Sequence, residues 1–130
     1  MNKFEQLGLS ESLLKAILDL GFESPTEVQE KAIPLLLEKD IDLVALAQTG
    51  KTAAFGFPVI QKIDANNRNT QALILSPTRE LCLQITNEIK NYSKYEKGIN
   101  VVAVYGGASI TEQARDIKRG AQIIVATPGR

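Results

Sequence analysis

The sequence predicts an α/β domain on a mostly parallel, doubly wound sheet. Three observations predict it. Four short runs, Asp42–Ala47, Ala72–Leu75, Val101–Tyr105 and Ile123–Ala126, are almost wholly apolar and lack polar alternation. Such runs are expected where a parallel sheet is covered on both faces. Helix-like stretches follow the first three runs, with apolar residues at helical spacing, as in Leu81, Ile85 and Ile89. Turn residues gather just after the runs: Gln48–Thr52, Ser76–Glu80, Gly106–Ser109 and Thr127–Arg130. Repeated βα units of this kind imply right-handed crossovers.

The elements follow in order. After an extended lead, Ser10 is the expected N-cap of a helix with Leu13, Leu14, Ile17 and Leu18 on its apolar face. Gly21 fits the position just beyond its end. Thr26 is expected to cap a second helix carrying Val28, Ala32 and Ile33, kinked or restarted at Pro34 and ending near Lys39. The first strand, near 42–47, leads into Ala47-Gln48-Thr49-Gly50-Lys51-Thr52 and then a helix to about Ile63, weakened at Gly56 and Pro58. A polar loop over 65–70 precedes the second strand, 72–75. A helix over 79–92, a third strand over 101–105, a short helix over 110–119 and a fourth strand over 123–126 complete the chain. The expected organisation is one structural domain, with a helical segment over 1–39 and the sheet-bearing part over 40–130.

Composition narrows the chemistry. The chain has 130 residues, 15 basic and 15 acidic, so any nucleic-acid site must be a local patch. It has no histidine and a single cysteine, Cys82, which removes Ser-His-Asp catalysis, an internal disulfide and the usual zinc sites. Cys82 reads as a buried, inert thiol. No apolar signal region opens the sequence and no run reaches spanning length, so a cytoplasmic protein, monomeric by default, is expected.

Ligand-binding loops in an open α/β sheet lie beyond the carboxyl ends of the strands. The first such loop has a strand before it, Gly-Lys-Thr within it and a helix after it. This is the layout of a phosphate loop, with backbone amides around phosphate oxygens, Lys51 on the outer phosphates and Thr52 on Mg²⁺. The match is incomplete, because Ala45 stands where the first glycine of G-x-x-x-x-G-K-[ST] belongs. An ordinary βα turn is the alternative. The other loops offer glycines, hydroxyls, helix N-terminal amides, Arg79 and Arg130, a set suited to a phosphodiester backbone.

Phe4, Gly21-Phe22, Pro25-Thr26, Gln29, the 47–52 loop, Pro77-Thr78-Arg79-Glu80-Leu81, Gly106-Gly107 and Thr127-Pro128-Gly129-Arg130 occur in this order. In that ordered set the whole chain resembles the N-terminal RecA-like domain of DEAD-box ATP-dependent RNA helicases. The resemblance implies a RecA-like P-loop NTPase fold, with ATP and Mg²⁺ as cofactors. It implies RNA, bound with little base preference, and a second RecA-like domain as partners. Carried over by position, Gln29 reads the adenine edge, Phe22 stacks on adenine, Phe4 packs behind this segment and Thr26 orients it. Ala47, Gln48, Thr49, Gly50, Lys51 and Thr52 surround the phosphates, with Thr52 on Mg²⁺. Pro77, Thr78, Arg79, Gly106, Gly107, Thr127, Pro128, Gly129 and Arg130 contact RNA, distinguished from DNA by its 2′-hydroxyls.

Plainer readings stand beside these. Gln29 could be a solvated helix residue, and Phe22 and Phe4 could be core. Arg79 and Glu80 could form a helix-terminal ion pair, and Gly106-Gly107 a simple tight turn. Lys94, Lys97, Arg115, Lys118 and Arg119 read as a solvated basic face.

Two departures from the family pattern bear on activity. The family loop reads Ala-x-Thr-Gly-x-Gly-Lys-Thr, whereas here Gly50 is followed directly by Lys51. Either the loop is two residues short, with displaced Lys51 and weakened ATP binding, or residues between the two are not represented. The 130 residues also contain no Asp-Glu-Ala-Asp or Ser-Ala-Thr segment. No catalytic residue is therefore expected among them, and these residues alone are expected to be inactive within a parent RNA-dependent ATPase. A non-catalytic RNA- or partner-binding module is the second reading. A P-loop ATPase acting on something other than RNA is the third, disfavoured by Gln29 together with 127–130.

Overall fold

A computed structural model describes residues 3–39 and 51–130. The chain divides into two compact units, Met1–Lys62 with Tyr92–Tyr95, and Ile63–Asn91 with Glu96–Arg130. Among the described residues, no helix is long and apolar enough to cross a membrane.

The first unit is helical where described. A short 3-10 turn at Glu5–Leu7, unforeseen in the extended lead, precedes α1 (Glu11–Asp19), α2 (Glu27–Glu38) and α3 (Lys51–Lys62). Helix α1 starts at Glu11 with Ser10 in the expected N-cap position, although the Ser10 side chain makes no cap hydrogen bond, and it buries Leu13, Ala16 and Ile17. Its face is narrower than expected, since Leu18 is 69% exposed. The i, i+3, i+4 stripe from Leu13 leaves Leu18 about a quarter turn away. Helix α2 runs through Pro34 without interruption. The carbonyl that Pro34 leaves unpaired belongs to exposed Glu30, where water can serve it. Helix α3 likewise continues past Gly56 and Pro58, because Ala53, Ala54, Phe57 and Ile60 bury one continuous face. The predicted strand over 42–47 lies outside the described residues.

Polar contacts brace this unit. The Gln61 amide accepts from the Ser10 N–H at 2.8 Å and donates to the Gly8 carbonyl at 3.0 Å. The Tyr95 hydroxyl donates to the Asp19 carboxylate, and Lys94 pairs with the same carboxylate at 3.1 Å. Lys94, expected on a solvated face, is therefore anchored. The Tyr95 hydrogen bond, and then Lys94, hold the Asp19 carboxyl below its usual range, and the Asp19 carboxylate pushes the Tyr95 phenol up.

The second unit carries a three-stranded parallel sheet. Its strands are β1 (Ala72–Leu75), β2 (Val101–Val104) and β3 (Ile123–Ala126), in the order β1-β3-β2. Ala72 and Val101 both align with Ile123, and Leu75 and Val104 with Ala126. Helix α4 (Arg79–Tyr92) connects β1 to β2, and α5 (Ile110–Arg119) connects β2 to β3. The first crossover passes over β3 and the second returns. Two right-handed crossovers in opposite directions place α4 and α5 on opposite faces of the sheet.

Central β3 is buried as continuous apolar composition requires, with Ile123 and Val125 fully enclosed. Strand β1 departs from that expectation, because Leu73 and Leu75 are each 61% exposed. They share a face with Ile124 and Ala126, and α5 packs chiefly on β2 rather than β1. Cys82 is buried in α4, its thiol donating to the Val125 carbonyl at 3.3 Å, and burial pushes its pKa up, consistent with an inert thiol.

Candidate functional site

In the first unit, the end of α1 sets Phe22. The Gly21 N–H donates to the Leu18 carbonyl at 3.1 Å and the Phe22 N–H to the Ile17 carbonyl at 3.2 Å. This paired pattern needs a left-handed residue, and Gly21 has φ +78°. The chain is thereby turned so that Phe22 stays 36% exposed. Phe22 is the outer ring of an aromatic chain. Its centroid lies 6.3 Å from Tyr92, Tyr92 lies 4.7 Å from Phe57, and Phe57 lies 6.4 Å from fully buried Phe4. Phe4 is thus a core residue, packed edge-on against Phe57 of α3.

The start of α2 sets Gln29. The Thr26 hydroxyl accepts from the Gln29 N–H at 3.4 Å, and the Gln29 side-chain oxygen accepts from the Thr26 N–H at 3.0 Å. This reciprocal capping box satisfies two helix-end donors and locks both side chains. Gln29 is only 5% exposed, so it is not a solvated helix residue. Helix α3 begins at exposed Lys51 with Thr52 half-buried in its first turn. An ammonium and a hydroxyl beside helix N-terminal amides fit a Mg²⁺-bound polyphosphate. Among the described residues, no group of three or more acidic or cysteine side chains could hold a metal unaided. Ala47, Gln48, Thr49 and Gly50 lie outside the described residues.

In the second unit the three strand-end loops are tied edge to edge. The Ser76 N–H donates to the Ala126 carbonyl at 2.8 Å, and the Thr127 N–H to the Val104 carbonyl at 2.9 Å. Thr78 caps α4, its hydroxyl accepting from the Leu81 N–H at 3.2 Å. Ser109 caps α5 in the same way, accepting from the Glu112 N–H at 3.2 Å. Both helix N-termini therefore open on the carboxyl edge of the sheet.

Two arginines flank the glycine loop between them. The Arg79 guanidinium lies over the Tyr105 ring at 4.9 Å, so it is stacked rather than paired with Glu80. Gly107 has φ +87°, and a Cβ there would stand 3.4 Å from Arg79 Nη1. Gly106-Gly107 is thus a turn whose second residue needs the left-handed conformation and lies beside Arg79. On the other flank, Arg130 Nη1 donates to the Ala108 carbonyl at 3.1 Å and lies 3.4 Å from the Gln113 side-chain oxygen. Gln113 in turn donates to the Tyr105 carbonyl at 3.1 Å. Pro77, Thr78, Arg79, Gly106, Gly107, Pro128, Gly129 and Arg130 are all exposed, and Thr127 is half-buried.

Residues 26–130 match the DEAD/DEAH box helicase family. The chain belongs to that family. It is 52% identical to the ATP-dependent RNA helicase CshA of Listeria monocytogenes, over 100% of this chain and 25% of that protein. A crystal structure of a DEAD box protein from Methanococcus jannaschii superposes with a TM-score of 0.91 and 44% identity, over 98% of this chain and 35% of that one. S. cerevisiae Dbp5 bound to RNA and ADP BeF3 superposes with a TM-score of 0.85 and 32% identity, over 99% and 32% of the two chains. The chain thus spans about a quarter of the length of the curated relative, and its fold is RecA-like.

Two residues of this DEAD-box domain escaped the sequence reading. Tyr105, the last residue before Gly106-Gly107, was visible only as a strand end. Gln113 gave no signal, since a glutamine four residues after a Ser cap is ordinary helix composition. Their contacts with Arg79 and Arg130 are long-range and exist only once β2 and α5 are in place.

Proposed function

We propose that these residues form the ATP- and RNA-binding part of an ATP-dependent RNA helicase. The observation that carries the reading is Arg79 and Arg130 flanking Gly106-Gly107 beside the N-termini of α4 and α5. Cations and helix amides on one sheet edge favour phosphates, and no base-reading pattern accompanies them. Pro77, Thr78, Thr127, Pro128 and Gly129 shape the same edge. That Dbp5 is bound to RNA and ADP BeF3 supports both ligands here. The 1–39 segment serves as the adenine side, and 40–130 as phosphate and RNA side.

On the nucleotide side, Phe22 offers the face of an aromatic ring and Gln29 the edge of an amide. The Gln29 oxygen already accepts from Thr26, and its second lone pair can accept from the adenine amino group. The Gln29 amide nitrogen would donate to N7. Ala47, Gln48, Thr49, Gly50 and Lys51 would hold the phosphates, and Thr52 would hold Mg²⁺, which supplies charge neutralisation at the phosphates. We assign binding to these residues and bond cleavage to none of them.

The second reading, an RNA-binding module with impaired ATP use, is favoured by one observation. The full sequence joins Gly50 to Lys51 directly, two residues fewer than the family loop. The experiment that separates the readings is single-turnover ATP hydrolysis by the complete protein with and without RNA. RNA-stimulated hydrolysis is expected if the protein is a working helicase. RNA binding without any hydrolysis would establish the binding module instead.

A further inference from the structure

Helix α5 buries one of its 10 residues, and that residue is polar: Gln113 is 8% exposed. A polar side chain costs stability when enclosed without partners, so both ends of its amide must be satisfied. The amide nitrogen donates to the Tyr105 carbonyl at 3.1 Å, and the amide oxygen faces Arg130 Nη1 at 3.4 Å. The partners fix this orientation, because a carbonyl can only accept and a guanidinium can only donate. Glutamine meets both demands. Glutamate would lack the donor, methionine would lack both groups, and lysine would set a second cation beside Arg130.

These two bonds join the arginines on either side of the glycine loop, all within the second unit. Tyr105 carries the Arg79 guanidinium over its ring at 4.9 Å. Arg130 Nη1 also donates to the Ala108 carbonyl at 3.1 Å. Gln113 therefore reaches both ends of the 105–108 loop, directly at Tyr105 and through Arg130 at Ala108. Ser109 fixes the same loop to the first turn of α5. The grip leaves donors open to a ligand. Among the described residues, Arg79 side-chain N–H groups and the Arg130 Nε and Nη2 groups have no protein acceptor.

We propose that Gln113 is a positioning residue that makes Arg79 and Arg130 act as one phosphate clamp. It fixes Tyr105 and Arg130 against each other, and so holds the two guanidiniums at a set span before a ligand arrives. Loss of Arg130 frees the Gln113 amide, which loosens Tyr105 and the Arg79 stacked on it. This role rests on the RNA-backbone reading above. It adds an energetic coupling between the two cations, since Gln113 is itself enclosed and acts through them.

The test is a double-mutant cycle on the complete protein, read by fluorescence anisotropy with a labelled oligouridylate. Arg79→Ala, Arg130→Ala and the double variant are measured with Gln113 present and with Gln113→Met. With Gln113 the combined loss of affinity should fall short of the product of the single losses by about fivefold. With Gln113→Met the two losses should simply multiply. A glutamine that only supports the fold would weaken binding or lower the melting temperature and leave the shortfall in place, which would overturn the proposal. Should Gln113→Met misfold, Gln113→Glu carries the same test: it keeps the acceptor for Arg130, loses the donor to Tyr105 and should abolish the shortfall. Guanidinium NMR of the RNA-free protein separates this role from the RNA reading. The Arg130 Nη protons should be protected from exchange in the parent and in Gln113→Glu, and lose protection in Gln113→Met; protection retained there would overturn the proposal. A parent that binds no RNA would overturn the RNA reading and the coupling with it, while the exchange data still report whether Gln113 holds Arg130.

Discussion

The two candidate regions, one in each compact unit, are built differently, although both follow the same family pattern. On the nucleotide side the described residues are fixed by helix ends. A Schellman turn sets Phe22 and a capping box sets Gln29, each complete within a dozen residues of sequence. On the other side the two helix caps are local, at Thr78 and Ser109, but the arginines are not. Arg79 depends on Tyr105 and Arg130 depends on Gln113, contacts that span 26 and 17 residues respectively. The first region is therefore set by local helix ends where it is described, and its loop sequence is two residues shorter than the family pattern. The placement of Arg79 and Arg130 depends on the sheet and α5 being in place.

The strongest way to break this comparison is to repair the loop. Inserting two residues, the second a glycine, between Gly50 and Lys51 should raise ATP affinity about a hundredfold, the scale of one or two charge-assisted bonds. Isothermal titration with Mg-ATP checks it, and RNA affinity should not move. A parallel rise in RNA affinity would show that the halves are not separate.

A smaller effect sharpens the role of Gln29. Replacing it with alanine removes the side-chain half of the capping box and the amide while leaving the Thr26 cap in place, and should cost up to about 1 kcal/mol of stability. Replacing it with glutamate keeps the capping box but loses the donor to adenine. Thermal unfolding should therefore separate Gln29→Ala from Gln29→Glu, while both lose preference for ATP over GTP. If Gln29→Glu retains that preference, Gln29 is a cap alone.

The contrast explains what was legible in the sequence. Strands β1 and β3, and helices α4 and α5, were readable because apolar runs and helical spacing are local signals. So were Gly21 and Thr26, whose roles are decided by immediate neighbours, whereas Ser10 holds its N-cap position without a side-chain cap bond. The exposure of Leu73 and Leu75 was not readable, because apolar composition states what a strand tolerates and not what covers it. Gln29 was misjudged as solvated in its plain reading because the reciprocal cap consumes a polar side chain that composition alone assigns to water. Tyr105 and Gln113 were invisible for the opposite reason: their partners are distant in sequence.

The smallest expected effect concerns the brace on α1. Asp19 titrates below its unfolded value, so its contribution to stability is present above about pH 4 and fades as pH falls through the lowered value. Tyr95 is raised, so its contribution holds below about pH 10 and fades as pH rises through the raised value. Denaturant titrations of Asp19→Asn against the parent should differ slightly at neutral pH and converge at both extremes. A difference that persists once the Asp19 carboxyl has titrated would place the stabilisation elsewhere.

The central claim is that Arg79 and Arg130 hold an RNA backbone without reading bases. The direct measurement is single-stranded RNA affinity against salt, for several unrelated sequences, in the parent and in Arg79→Ala and Arg130→Ala. Similar affinities across sequences are expected, with each variant losing about one unit of the log–log salt slope. Strong preference for one sequence, or an unchanged slope in both variants, would contradict the account.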